Sequence, residues 1–122
     1  MIEANELRIG NWVLYQGQFK IVRYIQVDRI GAIKKNLQPQ TMLLIKCSGI
    51  PLTEEILFKC GFFKRNGLYG IQVRINKGNH KLSYFFLDKT LRVSNSYVPC
   101  QYLHQLQNIY FALTGQELNI EL

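Results

Sequence analysis

The chain has 122 residues, of which 48% are hydrophobic, 12% aromatic and 19% charged, so it carries enough apolar side chain for one folded core and too little polarity for an intrinsically disordered chain. Fifteen Lys and Arg against eight Asp and Glu give a net charge of +7, and this basic balance points to an anionic partner. No apolar run reaches the roughly 18 residues that span a bilayer, because Thr41-Met42-Leu43-Leu44-Ile45 stops at Lys46, so membrane insertion is not expected.

In chain order, the first six residues hold Glu3 and Glu6 and no basic or apolar leader, which reads against a secretory signal. Three cysteines, Cys47, Cys60 and Cys100, are odd in number and irregular in spacing, as expected of reduced thiols in a cytoplasmic protein. Trp12 to Tyr15 and Phe19 to Ile25 are rich in β-branched and aromatic residues around the turn Gln16-Gly17, which predicts a β-hairpin. With the turn at Gly10-Asn11 ahead of it, this order resembles the opening of an SH3-like barrel. Residues 26 to 42 read mostly as loop, with Val27 to Ile33 able to pair with the hairpin, and Leu43 to Cys47 as a short strand.

The segment from Pro51 to Phe62 predicts a short helix: Thr53 caps it, Glu54 and Glu55 complement its dipole, and Gly61 ends it. Ile71, Val73 and Ile75 alternate with polar residues. A turn at Lys77-Gly78-Asn79, a strand over Leu82 to Leu87 and another at Leu91-Arg92-Val93 complete an antiparallel meander. Pro99 suits the first turn of an amphipathic helix whose stripe is Leu103, Leu106, Tyr110 and Leu113, with a stop at Gly115. The tail alternates Leu118, Ile120 and Leu122 with Glu117, Asn119 and Glu121, which predicts a final strand. The expected fold is a single α+β domain over residues 1 to 122, with no linker or repeat.

Candidate chemistry is sparse. His80 reads as a solvated turn residue. Cys100 and His104 stand at the i, i+4 spacing of a metal pair or of a thiol and its base, but Cys47 and Cys60 form no C-x-x-C knuckle and the helix holds no acid to orient the imidazole. No metal, cofactor or catalytic residue is therefore assigned, and a cysteine-dependent enzyme ranks behind two binding functions. Glu54 and Glu55 are capping residues rather than an acid/base pair, and no phosphate loop of the type G-x-x-x-x-G-K-S/T occurs.

The first binding function rests on charge. Glu3, Glu6, Glu117 and Glu121 take half the acids, leaving residues 7 to 116 with all 15 bases and four acids. Arg74, Lys81 and Arg92 fall on successive predicted strands with Tyr84 or Phe85 beside them, a combination suited to single-stranded nucleic acid. Lys34-Lys35 and Lys64-Arg65 read as solvated loop charges, with either pair able to contact phosphate. The second rests on the C-terminal helix, which has no Asp, Glu, Lys or Arg from Pro99 to Thr114. Its neutral face at His104, Gln105 and Asn108 is either packed inside the fold or an interface for a protein partner or a second copy.

Three blocks carry a resemblance: Asn5 to Val13, Ile50 to Leu57 with Cys60-Gly61-Phe62, and Leu103 to Gly115 with its H-Q-L-Q-N stretch. Together they resemble a family of small uncharacterised proteins from Bacteroides-type gut bacteria and their phages and mobile elements. The resemblance implies that source, a phage or mobile-element accessory role and a bounded single domain; it brings no activity and no site residue.

Overall fold

Gln16 and Gly17 both adopt positive φ, 49° and 77°, the geometry whose twist matches the strands of a two-residue hairpin. In the computed structural model, which describes residues 2–25, 29–33, 40–43, 46–75 and 78–122, this turn joins β1 (Trp12–Tyr15) to β2 (Gln18–Ile25). The meander continues through β3 (Arg29–Ile33) and β4 (Gln40–Leu43), and β5 (Cys47–Ser48) returns to pair with β1. The result is a five-stranded antiparallel sheet in the order β4-β3-β2-β1-β5. Residues 40 to 42, expected as loop, are thus in a strand; of the short strand expected over Leu43 to Cys47, Leu43 ends β4 and Cys47 begins β5, while residues 44–45 and Lys34-Lys35 lie outside the described residues.

The chain groups into two compact units, residues 1–51 with 102–108 and residues 52–101 with 109–122. In the first, Ile2, Leu7, Val13, Val22 and Cys47 are buried together. The helix α2 (Leu103–Thr114) contributes its first two turns to this unit, with Leu103 and Leu106 fully buried. Its start is held by the Leu103 N–H donating to the Ile50 carbonyl and by Gln105 Oε1 accepting the Tyr102 N–H, half of a capping box. Gly49 is required here, because any Cβ would collide with the Tyr102 ring.

The amides of α2 account for its missing charge. Gln107 is buried; its Oε1 accepts the Trp12 N–H at 2.8 Å and its Nε2 donates to the Gly10 carbonyl at 3.0 Å. Asn108 Oδ1 accepts from Asn11 Nδ2 at 2.9 Å and Arg8 Nε at 3.3 Å, while its Nδ2 donates to the Glu6 carbonyl at 2.9 Å. Asn11 Oδ1 in turn accepts the Arg8 N–H at 2.6 Å. A carboxylate could not donate and an ammonium could not accept, so neither kind of charged group could replace the amides at these two positions.

In the second unit Thr53 caps α1 (Glu54–Lys59), its side chain accepting from the Ile56 N–H. The helix stops at Gly61, φ 91°, where the Phe62 N–H reaches the Leu57 carbonyl and the Gly61 N–H the Phe58 carbonyl, the paired bonds of a Schellman stop. Five antiparallel strands follow: β6 (Phe63–Arg65), β7 (Leu68–Ile75), β8 (Gly78–Phe85), β9 (Thr90–Val93) and β10 (Ser96–Pro99). The expected α+β class, N-terminal hairpin sheet, short helix and C-terminal helix are all present.

Four details differ from expectation. Lys64 and Arg65 are in β6, not in a loop; Asn66-Gly67, φ 53° and 79°, makes the same two-residue turn as Gln16-Gly17. Gly78 to His80 belong to β8 rather than to a turn. Pro99 ends β10, where an edge strand tolerates its missing N–H, and α2 begins four residues later. The tail forms no strand; Leu118 is buried and the Glu121 N–H donates to the Lys59 carbonyl.

Replacing Gln107 by Ala leaves the Trp12 N–H and the Gly10 carbonyl without that partner and is expected to cost about 2 to 5 kcal/mol in urea denaturation. A loss below about 0.5 kcal/mol would show that these bonds are replaced by water at no cost.

Candidate functional site

Directly paired residues of an antiparallel sheet point to the same side, so the register of the second sheet sorts its side chains. Val73, Leu82, Tyr84 and Leu91 share the inner face and are buried. The other face carries Gln72 opposite Lys81, Arg74 opposite Asn79, Ser83 opposite Arg92, and Arg92 opposite Tyr97. Phe63, opposite Gly70, and Arg65, opposite Leu68, extend it onto β6. Arg65, Arg74, Lys81 and Arg92 are exposed, as are Phe63 and Tyr97 at 40% and 59%, and no residue of this strand face is acidic.

Of the five residues singled out from sequence, the sheet thus brings Arg74, Lys81, Phe85 and Arg92 together and excludes Tyr84. Tyr84 is 2% exposed, and its hydroxyl donates to the Cys100 carbonyl at 2.7 Å. Burial pushes its pKa up to about 12. The pleat separates Tyr84 from its neighbour Phe85, whose ring lies 5.8 Å from that of Tyr97. The Arg92 guanidinium sits 5.9 Å from the Tyr97 ring and the Lys81 ammonium 5.6 Å from the Phe63 ring. Arg65, expected with Lys64 as a loop charge able to contact phosphate, thus joins this face from a strand, whereas Phe63 and Tyr97 were missed by the sequence reading; the Asn66-Gly67 turn, two residues between hydrophobic runs, is the signal that would have found Phe63 and placed Arg65 on a strand.

A second feature lies beside α1, an open cleft of about 610 Å³ lined by Glu54, Glu55, Phe58, Lys59, Cys60, Gly61, Asn119 and Glu121. At the same helix start Tyr69 donates its hydroxyl to Glu54, which lowers the pKa of that carboxyl, and Lys64 at 3.5 Å adds to the effect. Lys59 pairs with Glu55 at 3.4 Å on the surface. Exposed pairs of this kind contribute little to stability.

The thiols and the α2 histidine are enclosed. Cys47, Cys60 and Cys100 are buried, and burial pushes Cys60 and Cys100 up to about 12, so neither is a thiolate near neutral pH. Cys100 precedes α2 rather than sharing a helix face with His104. His80 is exposed on β8. Among the described residues no three His, Cys, Asp or Glu side chains gather to hold a metal ion, and no helix is long and apolar enough to cross a membrane. Of the neutral helix face, Gln105 and Asn108 bond within the first unit as described above. His104 is fully buried, stacked on Tyr102 at 5.9 Å, with Nε2 3.6 Å from Glu6 Oε1. Burial lowers its pKa, and Glu6 opposes that shift only in part.

Two outcomes follow from this burial. Folded His104 refuses a proton that the unfolded chain accepts near its ordinary value of about 6.5, so its contribution to stability is full above that pH and is lost progressively as pH falls below it. Thermal melts should fall between about pH 6.5 and 5, and His104→Gln should flatten that slope; an equal slope in the variant would assign it elsewhere. Maleimide should label Cys60 and Cys100 in the native protein far more slowly than in urea, and equal rates would mean that the buried thiols open readily.

No family model, no curated protein and no solved structure matches this chain.

Proposed function

We propose that the protein is a non-enzymatic binding protein that takes single-stranded nucleic acid on the open face of its β6–β10 sheet. The observation that carries this reading is the side-chain content of that face: Arg65, Arg74, Lys81 and Arg92 interleaved with Phe63, Phe85 and Tyr97, without an acid among its strand residues. The cations answer the phosphates and the rings answer the bases, whose faces are free only in single strands. In the same reading the first unit is an SH3-like scaffold, supported by β5 returning to pair with β1. The alternative of a partner on the neutral helix draws no support from His104, Gln105 and Asn108, whose surroundings lie within the first unit.

Affinity for a fluorescent oligothymidylate should fall with salt by a log–log slope of about −0.7 per contacted phosphate, reaching roughly −3 if all four cations engage. Arg74→Ala and Arg92→Ala should each weaken binding and each make that slope shallower by about 0.7, and a duplex of equal length should bind less well. Undetectable binding at low salt would overturn the proposal, and binding indifferent to both substitutions would remove this face.

A further inference from the structure

One row of the open face runs straight across all five strands: Phe63 pairs with Gly70, Gly70 with Ser83, Ser83 with Arg92 and Arg92 with Tyr97. Its two ends are exposed rings and its middle holds the smallest side chains of the row. At about 4.8 Å per strand the ends stand about 19 Å apart along the sheet. That length corresponds to at most about six nucleotides at the ~3.4 Å spacing of a stacked strand, and to fewer when bases are splayed.

Lys81, from the adjacent row, occupies that low middle. A Cβ on Gly70 would overlap its Cε, so the lysine stem lies directly over the glycine, and its ammonium ends 5.6 Å from the centre of the Phe63 ring. Gly70 is therefore what lets Lys81 reach Phe63. The rings differ in consequence: Tyr97, with Phe85 and Arg92 beside it, forms a platform, whereas Phe63 is capped by a flexible cation. An exposed cation–π contact is weaker than a base stacked on an aromatic ring, so a base can take the place of the ammonium.

We infer that a single strand crosses this sheet perpendicular to its β-strands, from Tyr97 to Phe63, and that Lys81 is a displaceable latch that leaves the Phe63 ring to a base and pairs with a phosphate of the bound strand. The inference rests on the nucleic-acid reading of this face and adds its direction, its length and the residue that completes it.

The test is a length series of oligothymidylates, from about two to about ten nucleotides, against the parent, Phe63→Leu, Tyr97→Leu and Lys81→Met. Parent affinity should climb with length and level off by about six nucleotides. Phe63→Leu should weaken the longer oligomers about tenfold, leave the dinucleotide unchanged and bring the plateau to a shorter length, whereas Tyr97→Leu should weaken every length. Lys81→Met keeps the stem and should make the salt slope shallower by about 0.7 for long oligomers alone. If Arg92→Ala and Tyr97→Leu weaken binding but Phe63→Leu and Lys81→Met match the parent at every length, the crossing track is wrong and the face reading stands. A parent that binds no oligomer at low salt overturns both. The substituted side chains are exposed, and parent-like melting of each variant verifies that binding alone has changed.

Discussion

An amide taken from water must find a partner for both its donor and its acceptor, and the first unit is organised around meeting that demand at buried Gln107 and half-buried Asn108. Their partners are the backbone of Gly10 and Trp12, the side chains of Arg8 and Asn11, and the carbonyl of Glu6. These groups lie about a hundred residues away in sequence, at the mouth of the first hairpin. The cluster therefore closes the chain on itself through polar bonds of defined geometry, while Leu103 and Leu106 supply the apolar burial on the same turns. Apolar contacts tolerate a slip along the helix, but an amide with two partners does not.

The same enclosure determines what α2 can do. A helix whose polar residues are consumed by their own fold has no need of charge, and charge there would be stranded away from water. His104 is the cost of this arrangement. It stacks on Tyr102, and among the described residues neither ring nitrogen finds a hydrogen-bond partner and the Glu6 carboxylate is the group that favours its proton. Desolvation is the larger influence, so the imidazole is a neutral filler of the core and a poor general base.

In the second unit the governing device is the pleat. Every residue of β7, β8 and β9 is assigned inward or outward by its parity in the ladder; the inward set is mostly apolar, with the Tyr84 hydroxyl tied to a carbonyl, that of Tyr69 to Glu54, and His80 exposed opposite Val73. The outward set could then be chosen for charge without harm to the core. That freedom lets four cations and three rings share a surface from which acids are missing. Gly70 shows how closely the surface is composed, since even one carbon there would displace Lys81.

The sequence by itself determined the local features. The Gln16-Gly17 turn, the Thr53 cap, the Gly61 stop and the periodic stripe of α2 depend on residues within a few positions of one another, and each is found where its chemistry puts it. Alternation also identified Arg74, Lys81 and Arg92 as a set, because parity along a strand is legible from spacing. It could not choose between Tyr84 and Phe85, adjacent rings of similar propensity, since that choice depends on which face meets a core built from distant segments. Nor could it see that Pro99 ends a strand, that the alternating tail finds no strand partner, or that Phe63 and Tyr97 stand at opposite ends of one row. Strand pairing, burial and the partners of a buried amide are relations between residues far apart in the chain, and only tertiary structure decides them.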